Sequence, residues 1–170
     1  MNDNRTLATS SPSGVRHGSA EITLPSDTEI LITRRFDAPA RLVFEAITTP
    51  ALVQRWWGFE TSEWIVCEVD LRVGGTWRYV IRDSGMEVGF HGEYLELDAP
   101  HRMVSTEVFE GFPDAGSINT VTLDEVDGVT TMSTLIKHEL PEHRDAQLAS
   151  GMEGGMQVSY DRLEDLVRRR

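Results

Sequence analysis

Between Ser62 and His138 the chain alternates polar and apolar residues with period two, and it does so six times. The runs are Glu63–Val69, Thr76–Arg82, Glu87–Leu97, Arg102–Phe109, Ile118–Glu125 and Thr130–His138. Turn signals cut them apart: Val73-Gly74-Gly75, Asp83-Ser84-Gly85, Asp98-Ala99-Pro100, the loop Gly111 to Gly116 with Phe112 in it, and Asp127-Gly128. Connections this short cannot cross over a sheet, so consecutive strands must pair antiparallel as a meander. Such a sheet has to bury one face against something else in the chain.

Three helical stretches are available to cover it. Upstream, Glu29 to Phe36 reads as a further strand, and Asp37-Ala38-Pro39 reads as a helix start with Asp37 as the capping acceptor. Leu42, Val43, Ala46 and Ile47 then recur at helical spacing. Thr49-Pro50 repeats the start signal for a short helix from Ala51 to Trp57, which Gly58 ends. At the C-terminus, from Pro141-Glu142 onward, Leu148, Met152, Met156, Ser159, Leu163 and Leu166 or Val167 form one apolar stripe. Gly151, Gly154 and Gly155 interrupt it; they mark either a kink between two helical pieces or a place of close backbone approach. The expected class is α+β: a helix-grip arrangement, a curved antiparallel sheet of about seven strands around a long C-terminal helix, with two short helices after the first strand. A bent sheet wrapped on one helix tends to enclose space, so a cavity is expected before any ligand is named.

The 170 residues suit one domain, expected over residues 21–170. Residues 1–20 hold little that could be buried and are expected to be a disordered tail. Net charge is −12, which repels nucleic-acid phosphate and anionic lipid and argues against either as the main partner. No apolar run approaches the roughly 18 residues of a membrane span, and the first twenty residues lack a signal-peptide core. The single cysteine, Cys67, cannot form an internal disulfide and reads as a small buried hydrophobe. A cytoplasmic protein is the expectation.

For a binding cavity the candidate residues are aromatic and methionine side chains. Trp57 ends the second short helix. Trp77 and Tyr79 share one face of a strand, because side chains alternate along it. Met132, Met152 and Met156 are adaptable apolar groups, the last two on the helix expected to close the cavity. His91 lies mid-strand beside Glu93: turned inward it is a polar anchor or general base, turned outward a solvated sheet-face histidine. Asp70 and Arg72 flank the Gly-Gly turn and read as an ion pair that stabilises it. His138 and His143 lack the helical spacing of a metal pair, and no metal or cofactor is expected. Common hydrolase, phosphate-loop and dinucleotide motifs are missing, so no catalytic residue is assigned, and binding is the favoured reading over catalysis. The alternative enzyme reading uses His91 or a buried carboxylate as base, and it requires a cavity-facing polar group with a perturbed pKa.

The pieces that carry a family resemblance are Arg35-Phe36-Asp37-Ala38-Pro39, Val43-Phe44-Glu45-Ala46, Trp56-Trp57-Gly58, Asp70-Leu71-Arg72-Val73-Gly74-Gly75, Gly92-Glu93-Tyr94-Leu95-Glu96-Leu97, Gly128-Val129-Thr130 and Ser150-Gly151-Met152-Glu153-Gly154-Gly155. In order and spacing they resemble the START-like (SRPBCC) superfamily, in the family similar to the C-terminal domain of the activator of the 90-kDa heat-shock chaperone's ATPase. The resemblance spans about residues 29–168. It implies the helix-grip fold and a cavity between sheet and C-terminal helix. It implies no single function, since relatives bind lipids, hormones or polyketides and some are cyclases. The expected partner is a small apolar or amphipathic ligand. A chaperone partner is the weaker expectation, because the eukaryotic activator carries a separate N-terminal domain with no counterpart in these 170 residues.

Overall fold

The computed structural model describes residues 19–170, so the tail expected over residues 1–20 falls outside the described residues except for its last two positions. Ala20, one of those two, is fastened. Ala20 N donates to Gln157 Oε1 (3.0 Å), and Gln157 Nε2 donates back to Ala20 O (2.8 Å). The elements that follow are β1 (Glu21–Thr23), β2 (Glu29–Phe36), α1 (Ala40–Thr48), α2 (Pro50–Trp56), β3 (Glu63–Val69), β4 (Thr76–Asp83), β5 (Met86–Asp98), β6 (Arg102–Phe109), β7 (Ser117–Val126), β8 (Val129–His138), α3 (Pro141–Ala149) and α4 (Met152–Arg168).

The strands form one antiparallel sheet in the order β1-β2-β8-β7-β6-β5-β4-β3. The six period-two runs are its meander, β3 to β8. Helices α1 and α2 carry the chain from β2 to the far edge at β3, so β2 pairs with the last strand, Glu29↔Lys137 through Phe36↔Thr130. Strand β1 is an eighth member that the period-two reading leaves out; three residues are too few to show a period. Two hairpins turn on two residues each with positive φ, Ser84-Gly85 (51° and 81°) and Asp127-Gly128 (51° and 76°). That geometry matches the twist of the flanking strands and pins Asp83↔Met86 and Val126↔Val129.

The start of α1 differs from the local expectation. Pro39 occupies the N-cap position, and Asp37 lies outside it with no capping bond. A distant carboxylate serves instead, Ala40 N donating to Glu125 Oε2 (2.8 Å); ahead of the helix, Asp37 N donates to Glu164 Oε1 (3.2 Å). Free N–H groups at a helix start donate to any well-placed anion, so tertiary structure supplies what the neighbouring residue does not. At the other end of the chain the long helix is two pieces. Gly151, at φ 78°, breaks it between α3 and α4. A Cβ on Gly154 would meet nothing within 4 Å, so of the two readings of these glycines the kink is the one seen.

Helices α1 and α4 lie across the concave face. Phe36, Val43, Leu123, Leu163 and Val167 are buried between them and the sheet. Each such side chain contributes about 1.5–3 kcal/mol by leaving water. A smaller cluster, Ile30, Ile32 and Ile136, packs under the start of α4. Between the filled region and the β3–β5 end of the sheet, the covering is incomplete, and that is where the candidate site lies.

Candidate functional site

Alternation along five strands brings one set of side chains to the concave face. Strand β4 contributes Trp77 and Tyr79, β5 Tyr94, β6 Met103, Ser105 and Glu107. Strand β7 adds Asn119 and Val121, and β8 adds Met132 and Thr134. Register aligns them, with Met103 opposite Val121, Ser105 opposite Asn119, and Val121 opposite Thr134. From above, Ile47, Trp56, Trp57 and Tyr160 close over this floor. The result is a half-open cavity of about 140 Å³. Its aromatic rings brace one another: Trp77 and Tyr79 lie 4.8 Å apart, and Trp57 meets Tyr79 edge-on at 5.4 Å.

One glycine makes room for this arrangement. Gly92 lies opposite Trp77, and a Cβ there would fall 2.6 Å from Trp77 Nε1 and 1.8 Å from Thr106 O. Continuing the β5–β6 register from His91↔Val108 sets Gly92 across from Glu107. The ladder lapses at this point, and Glu93 N donates to Thr106 Oγ1 (2.9 Å) instead of to a backbone carbonyl. Trp77 Nε1 is buried without a hydrogen-bond partner among the described residues.

Glu107 is the ionisable group of the cavity wall that titrates near neutrality. It keeps a little accessible surface, as a residue on a cavity wall does, while protein packs round its carboxyl. Burial pushes that carboxyl up to about 7, and a hydrogen bond from the Asn119 side chain offsets only part of the rise. Asn119 is itself positioned, its Oδ1 accepting from Ser117 Oγ at 3.0 Å. The tyrosines respond to the same burial, and two of them to this carboxylate. Tyr94 is pushed up to about 12, mainly by burial. Tyr79 and Tyr160 are raised by burial first and by the Glu107 charge as a smaller cause, and the Tyr160 hydroxyl is hydrogen-bonded to Thr134.

Of the residues singled out from the sequence, Trp57, Trp77, Tyr79 and Met132 are brought together on this cavity. Met152 and Met156 are not among its lining. They pack against the Ile30, Ile32 and Ile136 cluster, because the first two turns of α4 cross the β2–β8 side of the sheet. His91 stands on the outer face, half exposed, with Nδ1 3.0 Å from Glu110 Oε1. The register explains it: His91 pairs with Arg78, which alternates with inward Trp77 and Tyr79. Cys67 is half-buried, its thiol pushed up by burial, with Sγ 3.7 Å from Pro50 O. Asp70 and Arg72 do pair across their turn, at 2.8 Å, in solvent.

From the sequence, Glu107, Asn119, Tyr94 and Tyr160 are not singled out as cavity residues. Tyr160 follows Met156 by four residues and could be placed on the helix stripe. Tyr94 follows from the Ser84-Gly85 hairpin, whose pairing runs out to Thr76↔Glu93. Glu107 has no such signal, since Val104, Thr106 and Val108 form the more apolar side of its strand. Trp57 also walls a second half-open pocket of about 210 Å³ with Gln54, Arg55, Phe59, Trp64 and Arg162. Among the described residues no three His, Cys, Asp or Glu converge as metal ligands would, and no helix is long and apolar enough to cross a membrane.

Comparison with known proteins bears on the whole of this architecture. The family model described as Activator of Hsp90 ATPase homolog 1-like protein matches residues 37–168. A solved structure from Rhodobacter sphaeroides is similar at a TM-score of 0.83 and 26% identity, over 89% of this chain and 99% of that one. One from Chromobacterium violaceum is 29% identical at a TM-score of 0.70, over 82% and 96%. One from Mycobacterium smegmatis shares the fold at 24% identity and a TM-score of 0.77, over 86% and 95%. No curated protein matches the chain by sequence.

Proposed function

The chain belongs to the activator of Hsp90 ATPase homolog 1-like family, and on that footing we propose that it binds a small, mostly apolar molecule between the sheet and its covering helices. The observation that carries this reading is the cavity itself: aromatic side chains from β4, β5, α2 and α4 converge on one space with a polar group on its wall. Its size limits the occupant. Pockets for drug-sized ligands run to about 300–1,000 Å³, whereas an engineered apolar cavity of about 150 Å³ holds benzene. At about 140 Å³ the space suits one ring with a short substituent, not a long-chain lipid.

The test is to compare native and denaturing mass spectra of protein purified from its own host. The expected result is a small mass excess that disappears on denaturation. No excess, together with no saturable binding of single-ring probes, would overturn the reading.

Glu107 favours a second reading, catalysis in the same cavity. A carboxyl titrating near 7 beside tyrosine hydroxyls can give or take a proton from a bound molecule. That reading expects turnover to be lost in Glu107→Gln while the ligand still binds.

A further inference from the structure

We propose, building on the binding reading above, that the occupant is a small organic cation, an amine or ammonium on an apolar body, with Glu107 as its counter-ion and the aromatic walls as its cage. The first argument is what Glu107 lacks. Among the described residues no Arg, Lys or His lies within ion-pair distance of its carboxylate. Arg34, the buried cation on the same side of the sheet, is held by Asp161 at 2.6 Å; its charge acts on Tyr160 and does not register at Glu107. Asn119 can donate a hydrogen bond but brings no charge. A buried carboxylate in this position is stabilised by a cation and by little else.

The second argument is the wall. Trp57, Trp77, Tyr79, Tyr94 and Tyr160 surround the same space. Aromatic faces carry partial negative charge and attract ammonium groups, most strongly where water is excluded. An anion would meet repulsion from the carboxylate and from the rings alike. A neutral molecule would leave the carboxylate without a partner or hold it protonated. The net charge of −12 acts in the same direction by concentrating cations around the protein.

Binding should therefore depend on pH through Glu107. The other titratable groups facing it are Tyr79 from β4, Tyr94 from β5 and Tyr160 from α4, all raised above the ordinary tyrosine value. Strands β7 and β8 present the neutral Asn119 and Thr134, and the α1–α2 side presents Ile47, Trp56 and Trp57. Since the carboxyl titrates near 7, a cation should bind better as pH rises through that value and release a proton on binding.

The experiment pairs two probes of nearly the same shape, benzylamine and benzyl alcohol. They are titrated into the full chain by calorimetry, with the Trp77 indole N–H followed by NMR to place them in the cavity. At about pH 8 benzylamine should bind roughly tenfold or more tightly than benzyl alcohol. The preference should fall to about threefold or less in Glu107→Gln, and benzylamine should weaken by about tenfold or more in the wild type near pH 5.5. Glu110→Gln removes the same charge from the opposite face and should leave both affinities unchanged. Equal affinities at pH 8, or an amine preference that survives Glu107→Gln, overturn the cation inference and leave the cavity reading standing. Binding of neither probe overturns both.

Discussion

Glu107 and Glu110 are three residues apart at the end of one strand, and the fold sends them to opposite faces with opposite results. Glu110, on the outer face, accepts two hydrogen bonds from Arg78 (2.8 and 3.0 Å) and sits 3.0 Å from His91 Nδ1. Those partners, Arg78 first, hold its carboxyl down at about 2. Glu107, on the inner face, has the Asn119 amide and aromatic walls, and burial raises it to about 7. The residue type is the same, so the difference lies in what each face brings to it. On the outer face an arginine of the chain's own meets Glu110, and on the inner face none meets Glu107 among the described residues. On the proposed reading the unpaired buried charge is there for a ligand to answer, whereas the paired one is part of the scaffold.

If pairing decides what a charge does, the strongest test is a charge that is both buried and paired. Arg34 is 2% exposed and bonded to Asp161. Replacing it (Arg34→Met) removes a buried guanidinium from a partly buried carboxylate and should cost about 3 kcal/mol in urea unfolding. A loss below about 1 kcal/mol would mean that pairing matters less than the comparison holds.

Glu107→Gln should act in the other direction, and only at high pH. The folded carboxyl is raised above its unfolded value of about 4.3, so the folded state holds a proton that the unfolded state releases. Stability contributed by this group is full below that value and is lost as pH rises through about 7. The variant should be the more stable by up to about 2–3 kcal/mol near pH 8, with the gain gone below about pH 5. Parallel melting curves for the two proteins across that range would contradict it.

Gly92→Ala tests the space between the two faces. Its Cβ would collide with the backbone carbonyl of Thr106 and with Trp77 Nε1, so the β5–β6 backbone must shift, and the indole must move unless that shift clears it. A destabilisation of about 1–3 kcal/mol is expected, with a changed Trp77 indole N–H signal. An unchanged signal would show that the strand moved and the ring did not.

Glu110→Gln should be the mildest. Its pairs are exposed, so solvent screening keeps their value below about 1 kcal/mol. The contribution is present above about pH 4.3, is lost as pH falls through about 2, and should be absent in 1 M salt. A loss that persists at high salt would point to packing instead of charge.

How far these features can be read in advance depends on whether the evidence is local. The meander, its turns and the two short helices are local, and the alternation and turn residues announce them. The inward turn of Trp77 and Tyr79, and the outward turn of His91, follow from one two-residue loop, Ser84-Gly85, once its pairing is counted along the strands. Met152 and Met156 are on the apolar stripe as expected. Which part of the sheet they cover depends on the angle of α4, and no residue spacing reports that. Glu107 is the hardest case. Its strand shows a more apolar side at Val104, Thr106 and Val108, and only pairing with Asn119 and Val121 of the next strand reveals that the other side faces the cavity. The cap on α1 fails for the same reason, since Glu125 is far from Ala40 in sequence.

The crossover from β2 to the far edge of the sheet has a consequence for synthesis. Phe36 pairs with Thr130, so β2 leaves the ribosome long before the strand that will sit beside it. At about 5–20 residues per second the wait is on the order of 5–20 s. Through that interval β2 has, among the described residues, only three-residue β1 as a hydrogen-bonding strand neighbour, while β3 to β7 can already assemble hairpin by hairpin. Strand β2 is thus made early and is among the last to gain its place, and the aromatic cavity gets its β8 wall at the same step that ends the wait.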